Sequence, residues 1–214
     1  MKSVLIVGGS GGLGSKVSEM LEEKYMISSV GSKDIDITNI ASCESFFKDK
    51  SYDVVVNFAG VNYDSFIHKI GDHNIDKVKE MIDVNVLGTI NLTSAALKKM
   101  RERKFGRIIL ISSVLAEKEV LGTSVYSSCK SFIDKFAKNA SVENIGHGIT
   151  VNTLQLGYFD GGMTYKIPLN IIEAIKESIG VKRFGKIEEL ASLISFLIET
   201  EYVTGANIKI NGGL

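Results

Sequence analysis

Short apolar runs alternate along the chain with amphipathic stretches. The runs that predict buried strands lie at residues 4–7, 26–30, 54–56, 108–111, 150–154 and 207–210. They are apolar on both faces, as parallel strands covered by helices are. Leu190, Leu193, Ile194 and Leu197 recur at i, i+3, i+4 and i+7, which gives the apolar stripe of a helix. The alternation predicts an α/β fold with a single doubly wound, Rossmann-like parallel sheet and helices on both faces.

The intervals between the predicted strands differ in length. Residues 76–103 are long enough for the longest helix. After the second strand, Val30 leads within a few residues to the run 34–38, so the sequence predicts that the helix after this strand is missing and that the fold is trimmed there. Pro168 lies in a loop-like stretch. Neither an internal repeat nor a linker interrupts the pattern, and we therefore expect one domain that spans residues 1–214.

Composition and charge narrow the class of protein. The chain has 214 residues, of which 44% are hydrophobic, and this argues against disorder. Its 25 Lys and Arg balance 25 Asp and Glu, so the charge favours neither a nucleic-acid nor an anionic-membrane partner. Cys43 and Cys129 lie far apart, which favours free thiols and a reducing, cytoplasmic location. No apolar run is as long as a membrane span, and the first run is too short for a signal peptide.

A glycine-rich turn follows the first predicted strand and opens a helix. Its residues are Gly8, Gly9, Ser10, Gly11, Gly12, Leu13 and Gly14. Glycines let a backbone approach a pyrophosphate closely, and a helix N-terminus supplies free N–H donors and a positive dipole end. The same residues are also compatible with a tight turn that binds nothing. The position directly after an N-terminal strand favours the nucleotide-binding interpretation.

A tyrosine and a lysine stand four residues apart in the second half of the chain. On a helix, Tyr126 and Lys130 would lie one turn apart on the same face. Such a spacing is common by chance, and the alternative is a solvent-exposed pair on a surface helix. Here the pair follows a predicted strand that leads to Ser112 and Ser113, with Ser113 thirteen residues before Tyr126. This order of groups, taken with the glycine turn, is typical of a known family.

The motifs resemble the short-chain dehydrogenase/reductase family, and within it the enzymes that reduce 3-oxoacyl thioesters of acyl carrier protein. The resemblance spans the whole chain. Beyond the glycine turn it rests on Asp36-Ile37-Thr38, Asn57-Phe58-Ala59-Gly60, Asn85, Ser113, Tyr126, Lys130, the runs 148–152, 183–185 and 202–205, and Asn211-Gly212-Gly213. It implies an oxidoreductase that moves a hydride between a nicotinamide cofactor and a carbonyl or alcohol substrate.

The resemblance implies a catalytic set of Asn85, Ser113, Tyr126 and Lys130. A ketone that accepts a hydride at carbon needs a proton at oxygen, which Tyr126 would donate. A phenol has a pKa of ~10, and a positive charge at about 4 Å lowers it by about 3 units; Lys130 and the oxidised nicotinamide can supply that charge. Lys130 would also hold the nicotinamide ribose, Ser113 would bond the substrate oxygen, and Asn85 would help hold a water linking Lys130 to solvent. The alternatives are a turn residue for Ser113 and a helix-kink or cap residue for Asn85.

Further positions match cofactor contacts of the family. Asp36 and Ile37 match positions beside the adenine ring, and Asn57, Ala59 and Gly60 match the loop under the adenosine ribose. Gly157, Tyr158 and Phe159 match the segment along the nicotinamide. Four residues depart from the family's pattern: Val7, Phe58, Leu156 and Gly161. Leu156 and Gly161 bear on the carboxamide contact and on a lid at roughly residues 161–180, and none of the four removes a catalytic group.

The end of the second predicted strand decides between NADPH and NADH. An acidic residue just past this strand bonds the ribose hydroxyls of NAD and repels the additional phosphate of NADP. With the strand ending at Val30, Gly31 offers no carboxylate, while Ser32 can donate a hydrogen bond and Lys33 can meet a phosphate. We therefore expect NADPH, with NADH as the alternative if a longer strand brings Asp34 to the ribose.

The expected reaction is carbonyl reduction, with a 3-oxoacyl thioester as substrate and an acyl carrier protein as a possible partner. The alternatives are a dehydrogenase of another small alcohol or sugar-linked carbonyl, and a non-catalytic nucleotide-binding regulator. His68, His73 and His147 show no metal spacing, so no metal site is predicted. A basic helix end could contact an acidic carrier or simply be a solvated C-terminus. Its residues are Lys98, Lys99, Arg101, Arg103 and Lys104.

Self-association is also implied by the resemblance. Related proteins pair through two long central helices, here residues 76–103 and 126–139, and often form tetramers through a second interface near the C-terminal strand. Phe132, Ile133 and Phe136 motivate the first interface, and their alternative is ordinary core packing. We expect a homotetramer or a homodimer.

Overall fold

Six parallel strands form one sheet in the computed structural model, which describes residues 1–71 and 73–214. The strands are β1 (Ser3–Val7), β2 (Met26–Val30), β3 (Val54–Asn57), β4 (Gly106–Ser113), β5 (Ile149–Leu156) and β6 (Asn207–Ile210). Their spatial order is β2-β1-β3-β4-β5-β6. The predicted strand positions are confirmed, and β4 and β5 extend beyond the predicted apolar runs at both ends.

Helices connect consecutive strands. The α-helices are α1 (Gly12–Leu21), α2 (Ile40–Phe47), α3 (Ile75–Ile82), α4 (Gly88–Arg103), α5 (Ser124–Asn144), α6 (Leu169–Ser178) and α7 (Ile187–Glu199). Short 3-10 turns lie at Ile67–Lys69, Val114–Ala116, Ile145–His147 and Gly162–Lys166. Within the described ranges, no helix combines the length and the apolar character that a membrane crossing requires.

The sheet separates two apolar cores, which confirms the doubly wound α/β fold. Successive residues of a strand face opposite sides, so Leu5 and Val7 belong to one core while Val4 and Ile6 belong to the other. The first core contains side chains of α2, α4 and α5, and the second contains side chains of α1 and α7. Both faces of the central strands are therefore buried, as their continuous apolar runs predict.

The connection after β2 is shorter than a full helical unit but does contain a helix. Residues 31–39 hold none, as predicted, and α2 then begins behind Asn39, whose Oδ1 accepts hydrogen bonds from Ala41 N (2.9 Å) and Ser42 N (3.4 Å). The expectation that the helix is missing is therefore wrong for the β2–β3 connection as a whole. The helix begins only after Asn39, because Asn39 supplies its N-cap.

The predicted long helix at 76–103 is divided. A π-helical segment, Asp83–Leu87, separates α3 from α4. Within it, Asn85 Nδ2 donates to Met81 O (2.9 Å), and Thr89 Oγ1 donates to Asn85 O (2.8 Å). Side chains that bond to carbonyls of the preceding turn loosen the regular ladder, and π segments of this kind are frequent at functional sites.

Candidate active site

The carboxyl ends of the strands share one edge of the sheet, where ligands of open α/β sheets bind. β1 ends at Val7 opposite Val30 and Asn57 of the neighbouring strands, and β4 ends at Ser113 opposite Leu156. The glycine turn follows Val7 directly. The predicted site residues occupy strand ends or the loops that follow them, except for Gly12, Leu13 and Gly14 at the start of α1 and for Asn85, Tyr126 and Lys130 on later helices.

The glycine turn forms the anion-binding geometry that its sequence predicts. Gly8 has a φ of 80°, a conformation that side chains disfavour, and Gly11 N donates to Gly8 O (3.0 Å) to close the turn. α1 begins at Gly12, and Gly11 at its N-cap has no side chain that could occupy the first amides. Those N–H groups therefore face the crevice and can bind a pyrophosphate.

Two other segments approach the glycine turn closely. A Cβ atom added to Gly8 would lie 2.6 Å from Ala59 N, and one added to Gly12 would lie 2.7 Å from Gly162 Cα. On the lid side, Lys16 Nζ donates to Asp160 O (3.2 Å) and contacts Tyr165 Oη (3.2 Å). The loop after β3 and the start of the lid thus come close to the turn. The turn carries no side chains at these points, and their absence leaves the space in which a nucleotide could bind.

The end of β2, where the choice between NADPH and NADH is expected to be made, lies beside Ser10. β2 ends at Val30, as predicted, and Ser32 and Lys33 are exposed in the turn that follows. A Cβ atom on Gly31 would lie 2.5 Å from Ser10 Oγ. Asp34 Oδ2 accepts a hydrogen bond from Gly31 N (2.8 Å), so its carboxylate folds back to the strand end although the strand is short. Cationic and anionic groups therefore both stand at this position.

The two residues expected beside the adenine ring differ in their exposure. Asp36 is exposed, but its Oδ1 accepts hydrogen bonds from Thr38 N (3.0 Å) and Thr38 Oγ1 (2.7 Å). The Ile37 side chain is buried in the core against Gly88. Asp36 is thus engaged within its own turn, and Ile37 can meet a ligand through its backbone only.

The loop after β3 is held by its own asparagine. Asn57 is buried, its Oδ1 accepts from Ala59 N (3.1 Å), and its Nδ2 donates to Thr89 Oγ1 (3.4 Å). A Cβ atom on Gly60 would lie 2.9 Å from Asn85 Oδ1 and 3.5 Å from Lys130 Nζ. Asn57 therefore shapes the loop, and Gly60 marks the point where this loop meets two predicted catalytic side chains.

Asn85 has one committed and one open polar group. Its Nδ2 donates to Val61 O (2.7 Å) and to Met81 O (2.9 Å). Its Oδ1 is buried and accepts no hydrogen bond from the residues that the structure describes. The kink interpretation is thus correct for the backbone, while the free Oδ1 beside Lys130 is an acceptor of the kind that a bridging water needs.

Tyr126 and Lys130 lie on the buried side of α5 and not on a surface helix. Tyr126 is 6% exposed and Lys130 is 4% exposed. Lys130 Nζ donates to Ile111 O (3.0 Å) and lies 5.5 Å from the centre of the Tyr126 ring. Ser113, at the end of β4, accepts a hydrogen bond from Leu115 N (3.2 Å) through its Oγ. The pair is therefore fixed against the end of β4.

Burial controls the titration of this pair. Desolvation raises the pKa of Tyr126, the charges of Asp64 and Cys129 raise it further, and a hydrogen bond with Ser113 opposes the shift. Desolvation also lowers the pKa of Lys130 to about 8, against the charges of Cys129 and Asp134. Without a bound ligand, burial therefore raises the pKa of Tyr126, whereas the expected lowering also needs the charge of the oxidised nicotinamide and stays a prediction for the complex. The phenol is held protonated, as a proton donor must be.

The segment after β5 presents one of its aromatic side chains to the site and buries the other. Phe159 is buried against Gly185, so only its backbone can meet a cofactor, while Gly157 N donates to Ile210 O (3.1 Å). Burial is the main cause that raises the pKa of Tyr158, and the charge of Asp64 raises it further. The same charge raises the pKa of Tyr126, so Asp64 lies near both tyrosines. The sequence analysis did not single out Asp64, an exposed residue seven positions after the end of β3.

Comparisons with known proteins place this site in a family. A family model described as "Enoyl-(Acyl carrier protein) reductase" matches residues 9–214. A 3-oxoacyl-(acyl-carrier-protein) reductase FabG of Rickettsia conorii is 32% identical over 100% of this chain and 96% of its own length. An acetoacetyl-CoA reductase of Shinella zoogloeoides is 32% identical over 98% of this chain and 96% of its own length.

Solved structures show the same fold. "ElxO with NADP Bound" has a TM-score of 0.86 and 24% identity, and covers 100% of this chain and 98% of that chain. A 3-oxoacyl-(acyl-carrier protein) reductase from Brucella melitensis has a TM-score of 0.87 and 22% identity, and covers 100% and 91%.

Fold, glycine turn and tyrosine–lysine pair define a nicotinamide-dependent oxidoreductase that reduces a carbonyl group to an alcohol. The chain belongs to the short-chain dehydrogenase/reductase family.

Proposed function

We propose that this enzyme reduces the ketone of a 3-oxoacyl thioester with NADPH, and that Tyr126 is the proton donor. The observation that carries the proposal is the buried, protonated phenol of Tyr126 beside Lys130 and Ser113 at the carboxyl edge of the sheet. Relatives named for 3-oxoacyl-(acyl-carrier-protein) and acetoacetyl-CoA substrates support the substrate class. An acyl carrier protein is the corresponding partner.

The proposed chemistry divides the work among four side chains. When bound, a reduced nicotinamide would provide the hydride for the carbonyl carbon. Tyr126 gives its phenolic proton to the carbonyl oxygen, and Ser113 donates a hydrogen bond to the same oxygen as charge develops there. Lys130 stabilises the phenolate that remains, because a cation close to the ring offsets the cost of a buried anion. Asn85 Oδ1 would hold a water through which the phenolate regains a proton.

The residues that would hold the cofactor lie at the strand ends, in the loops that follow them and at the start of α1. We propose that the α1 amides and the glycine turn bind the pyrophosphate, and that the β3 loop and Lys130 bind the two riboses. The segment after β5 would contact the nicotinamide through backbone atoms. The glycine cradle fits this role, since Cβ atoms at Gly8 and Gly12 would close it against Ala59 and Gly162.

A substrate comparison tests the proposal. Purified enzyme should oxidise NADPH with acetoacetyl-CoA and with an acetoacetyl-pantetheine thioester. It should not do so with crotonyl-CoA, whose carbon–carbon double bond offers no ketone to protonate. Turnover of crotonyl-CoA alone would show that the reaction is enoyl reduction and not ketone reduction. Turnover of small ketones or sugar-linked carbonyls without thioester turnover would show that the proposed substrate class is wrong. Cofactor binding without any turnover would favour the regulator.

The cofactor preference depends on the turn after β2. We expect kcat/KM to favour NADPH over NADH, because Ser32 and Lys33 are exposed where the additional phosphate would lie. Lys33→Ala should reduce this preference about 10-fold, which corresponds to one charge-assisted hydrogen bond. Asp34→Asn should increase it, because the carboxylate beside Gly31 repels a phosphate.

Lys50→Ala is the matched control, since Lys50 precedes β3 at the opposite edge of the sheet and should leave the ratio unchanged. A wild-type ratio that favours NADH would reject the preference and assign the selecting role to Asp34. An unchanged ratio in Lys33→Ala would show that Lys33 does not bind the phosphate.

We also propose that the enzyme assembles through α4 and α5 into a dimer or a tetramer. Phe132 and Phe136 stack at 5.6 Å and remain partly exposed in a groove between the two helices, whereas Ile133 is buried in the core. Light scattering at micromolar concentration should therefore show a dimer or a tetramer. Phe136→Glu should reduce the mass, because a charge cannot be buried there unpaired. Phe196→Glu, at an exposed position of α7, should not; a monomeric wild type would refute the assembly.

Two broader points follow from the same features. We propose that residues 1–214 act as one domain, because the strands from Ser3 to Ile210 pair into one sheet. We propose a reducing, cytoplasmic environment, because Cys43 and Cys129 are both buried thiols that no disulfide joins.

A further inference from the structure

A polar cluster that reaches from the interior to the surface lies one helical turn beyond Lys130. It consists of the buried Asp134 on α5 and Gln155 on β5, and of the exposed Glu117 in the loop that follows Ser113. Gln155 Nε2 donates to Asp134 Oδ2 (2.6 Å) and to Glu117 Oε1 (3.0 Å). At the surface, Glu117 Oε2 pairs with Lys209 Nζ (2.6 Å). The cluster therefore joins the three segments that carry Ser113, Lys130 and Gly157.

Asp134 is the charged member of this cluster that is deepest in the protein. Asp134 is 6% exposed and Gln155 is fully buried. The other carboxylate oxygen of Asp134, Oδ1, and the amide oxygen of Gln155, Oε1, accept no hydrogen bond from the described residues. A buried carboxylate is costly unless a cation or several donors compensate it. Glu117 has Lys209 as its cation, whereas Asp134 has only the single amide bond from Gln155.

Lys130 is the buried cation nearest to Asp134 along α5. Residues four apart on a helix are neighbours on one face, and both side chains lie on the buried face. The Lys130 ammonium is bonded to Ile111 O and not directly to Asp134, so the two interact through space. Ser112 Oγ, opposite Gln155 in the sheet, donates to Lys130 O (3.2 Å) and ties the two layers together.

We propose that Asp134 is the counter-ion of Lys130 and keeps this lysine charged inside the buried site. Asp134 is thus a positioning residue for the charge and touches neither substrate nor cofactor. Burial drives Lys130 toward its neutral form, and the charges of Cys129 and Asp134 oppose this. Burial also raises the pKa of the Cys129 thiol, so Asp134 is the carboxylate that remains as a counter-charge. The other titratable groups near the pair are Tyr126 on α5 and Asp64 in the loop after β3, and, on the side of Asp134, Glu117 beyond Gln155 and Lys138, which follows Asp134 by four residues on α5 and helps to lower the pKa of Glu117. The proposal rests on the proposed function only where it concerns turnover.

Asp134→Asn separates charge from structure. The Asn Oδ1 can still accept from Gln155 Nε2, and the new amide can donate to the open Gln155 Oε1. The variant should therefore fold and unfold at the wild-type temperature or above it. Asp134→Glu retains the charge as the conservative variant. Glu119→Gln makes the same change in net charge at an exposed carboxylate, and serves as the matched control.

The direct measurement is a titration of the cofactor-free enzyme by NMR, with 13Cε-labelled lysine and the Lys130 signal assigned from Lys130→Arg. In Asp134→Asn the titration midpoint of Lys130 should fall by about 1 unit, because the buried ammonium loses the opposite charge that favours its charged form. Asp134→Glu and Glu119→Gln should stay within about 0.3 unit of the wild type, a small fraction of that shift. An unchanged midpoint in Asp134→Asn overturns the proposal. If that variant does not fold, the 13Cγ signal of Asp134 in the wild type provides the test. Its chemical shift should change at the titration midpoint of Lys130, and a shift that does not change there would overturn the proposal.

Turnover gives a second readout that distinguishes the proposal from the proposed function. In Asp134→Asn the alkaline limb of kcat should move to lower pH by the same amount, with KM little changed. A merely structural role would lower kcat at every pH without moving the limb, and this would overturn the proposal. If the NMR midpoint shifts as expected while Tyr126→Phe remains active, the counter-ion is supported and the catalytic assignment of Tyr126 fails instead.

Discussion

Tyr126→Phe should reduce kcat for ketone reduction by about 10³-fold, which is the loss expected when a general acid is removed. It should leave KM and the cofactor Kd nearly unchanged. The ring packs with Met81 and Cys129, and Phe retains it, so the melting temperature should be preserved. The hydroxyl is the group that is removed. Of the two side chains closest to its role, Ser113 is a weaker acid and Lys130 already bonds Ile111 O, so neither replaces it.

Tyr52→Phe is the control for loss of a phenolic hydroxyl. Tyr52 precedes β3, at the amino edge of the sheet, and its ring stacks on Phe46 far along the strand from the site. Its rates should equal those of the wild type. Residual activity of more than about a tenth in Tyr126→Phe would contradict the assignment, because one-tenth corresponds to a loss of only about 1.4 kcal/mol.

Gly14→Ala should weaken cofactor binding by about 100-fold. A Cβ atom on Gly14 would lie 2.4 Å from Gly8 O and 3.1 Å from Gly9 Cα. Both are backbone atoms, so the turn itself must move and the amides of α1 lose their alignment on the pyrophosphate. Two misaligned charge-assisted hydrogen bonds account for about 3 kcal/mol, which is about two orders of magnitude in Kd.

Gly146→Ala is the matched control, because nothing lies within 4 Å of a Cβ atom at that position. Fluorescence titration with the reduced cofactor gives Kd for both variants, and circular dichroism checks that both fold. A Kd in Gly14→Ala within threefold of the wild type would show that the glycine turn does not hold the pyrophosphate.

The strands and the site edge could be predicted because their signals are local. Apolar runs fix β1 and β3–β5, and the glycine turn and Ser113 follow their strands directly, so parallel pairing brings them to one edge. The π segment could not be predicted in this way. It depends on Asn85 reaching Met81 O and Val61 O, and the second of these contacts exists only after the chain has folded.

The direction in which a side chain points was the second limit. Ile37 and Phe159 match cofactor positions in sequence, yet both side chains are buried in the cores. The pKa of Tyr126 is limited in the same way. The lysine charge is visible in the sequence, whereas the burial that raises the pKa of the ligand-free phenol is a property of the packed structure. Asp134 and Gln155, which lie 21 residues apart, likewise meet only through packing.

Deuterium transfer tests the central claim most directly. The enzyme is supplied with NADPH that carries deuterium at the transferable ring position, together with acetoacetyl-CoA, and the product is analysed by mass spectrometry and NMR. We expect 3-hydroxybutyryl-CoA with one deuterium on the carbinol carbon from the wild type, and none from Tyr126→Phe over the same time. A product without deuterium on that carbon, or equal product from both proteins, would contradict hydride transfer to a ketone with Tyr126 as the acid.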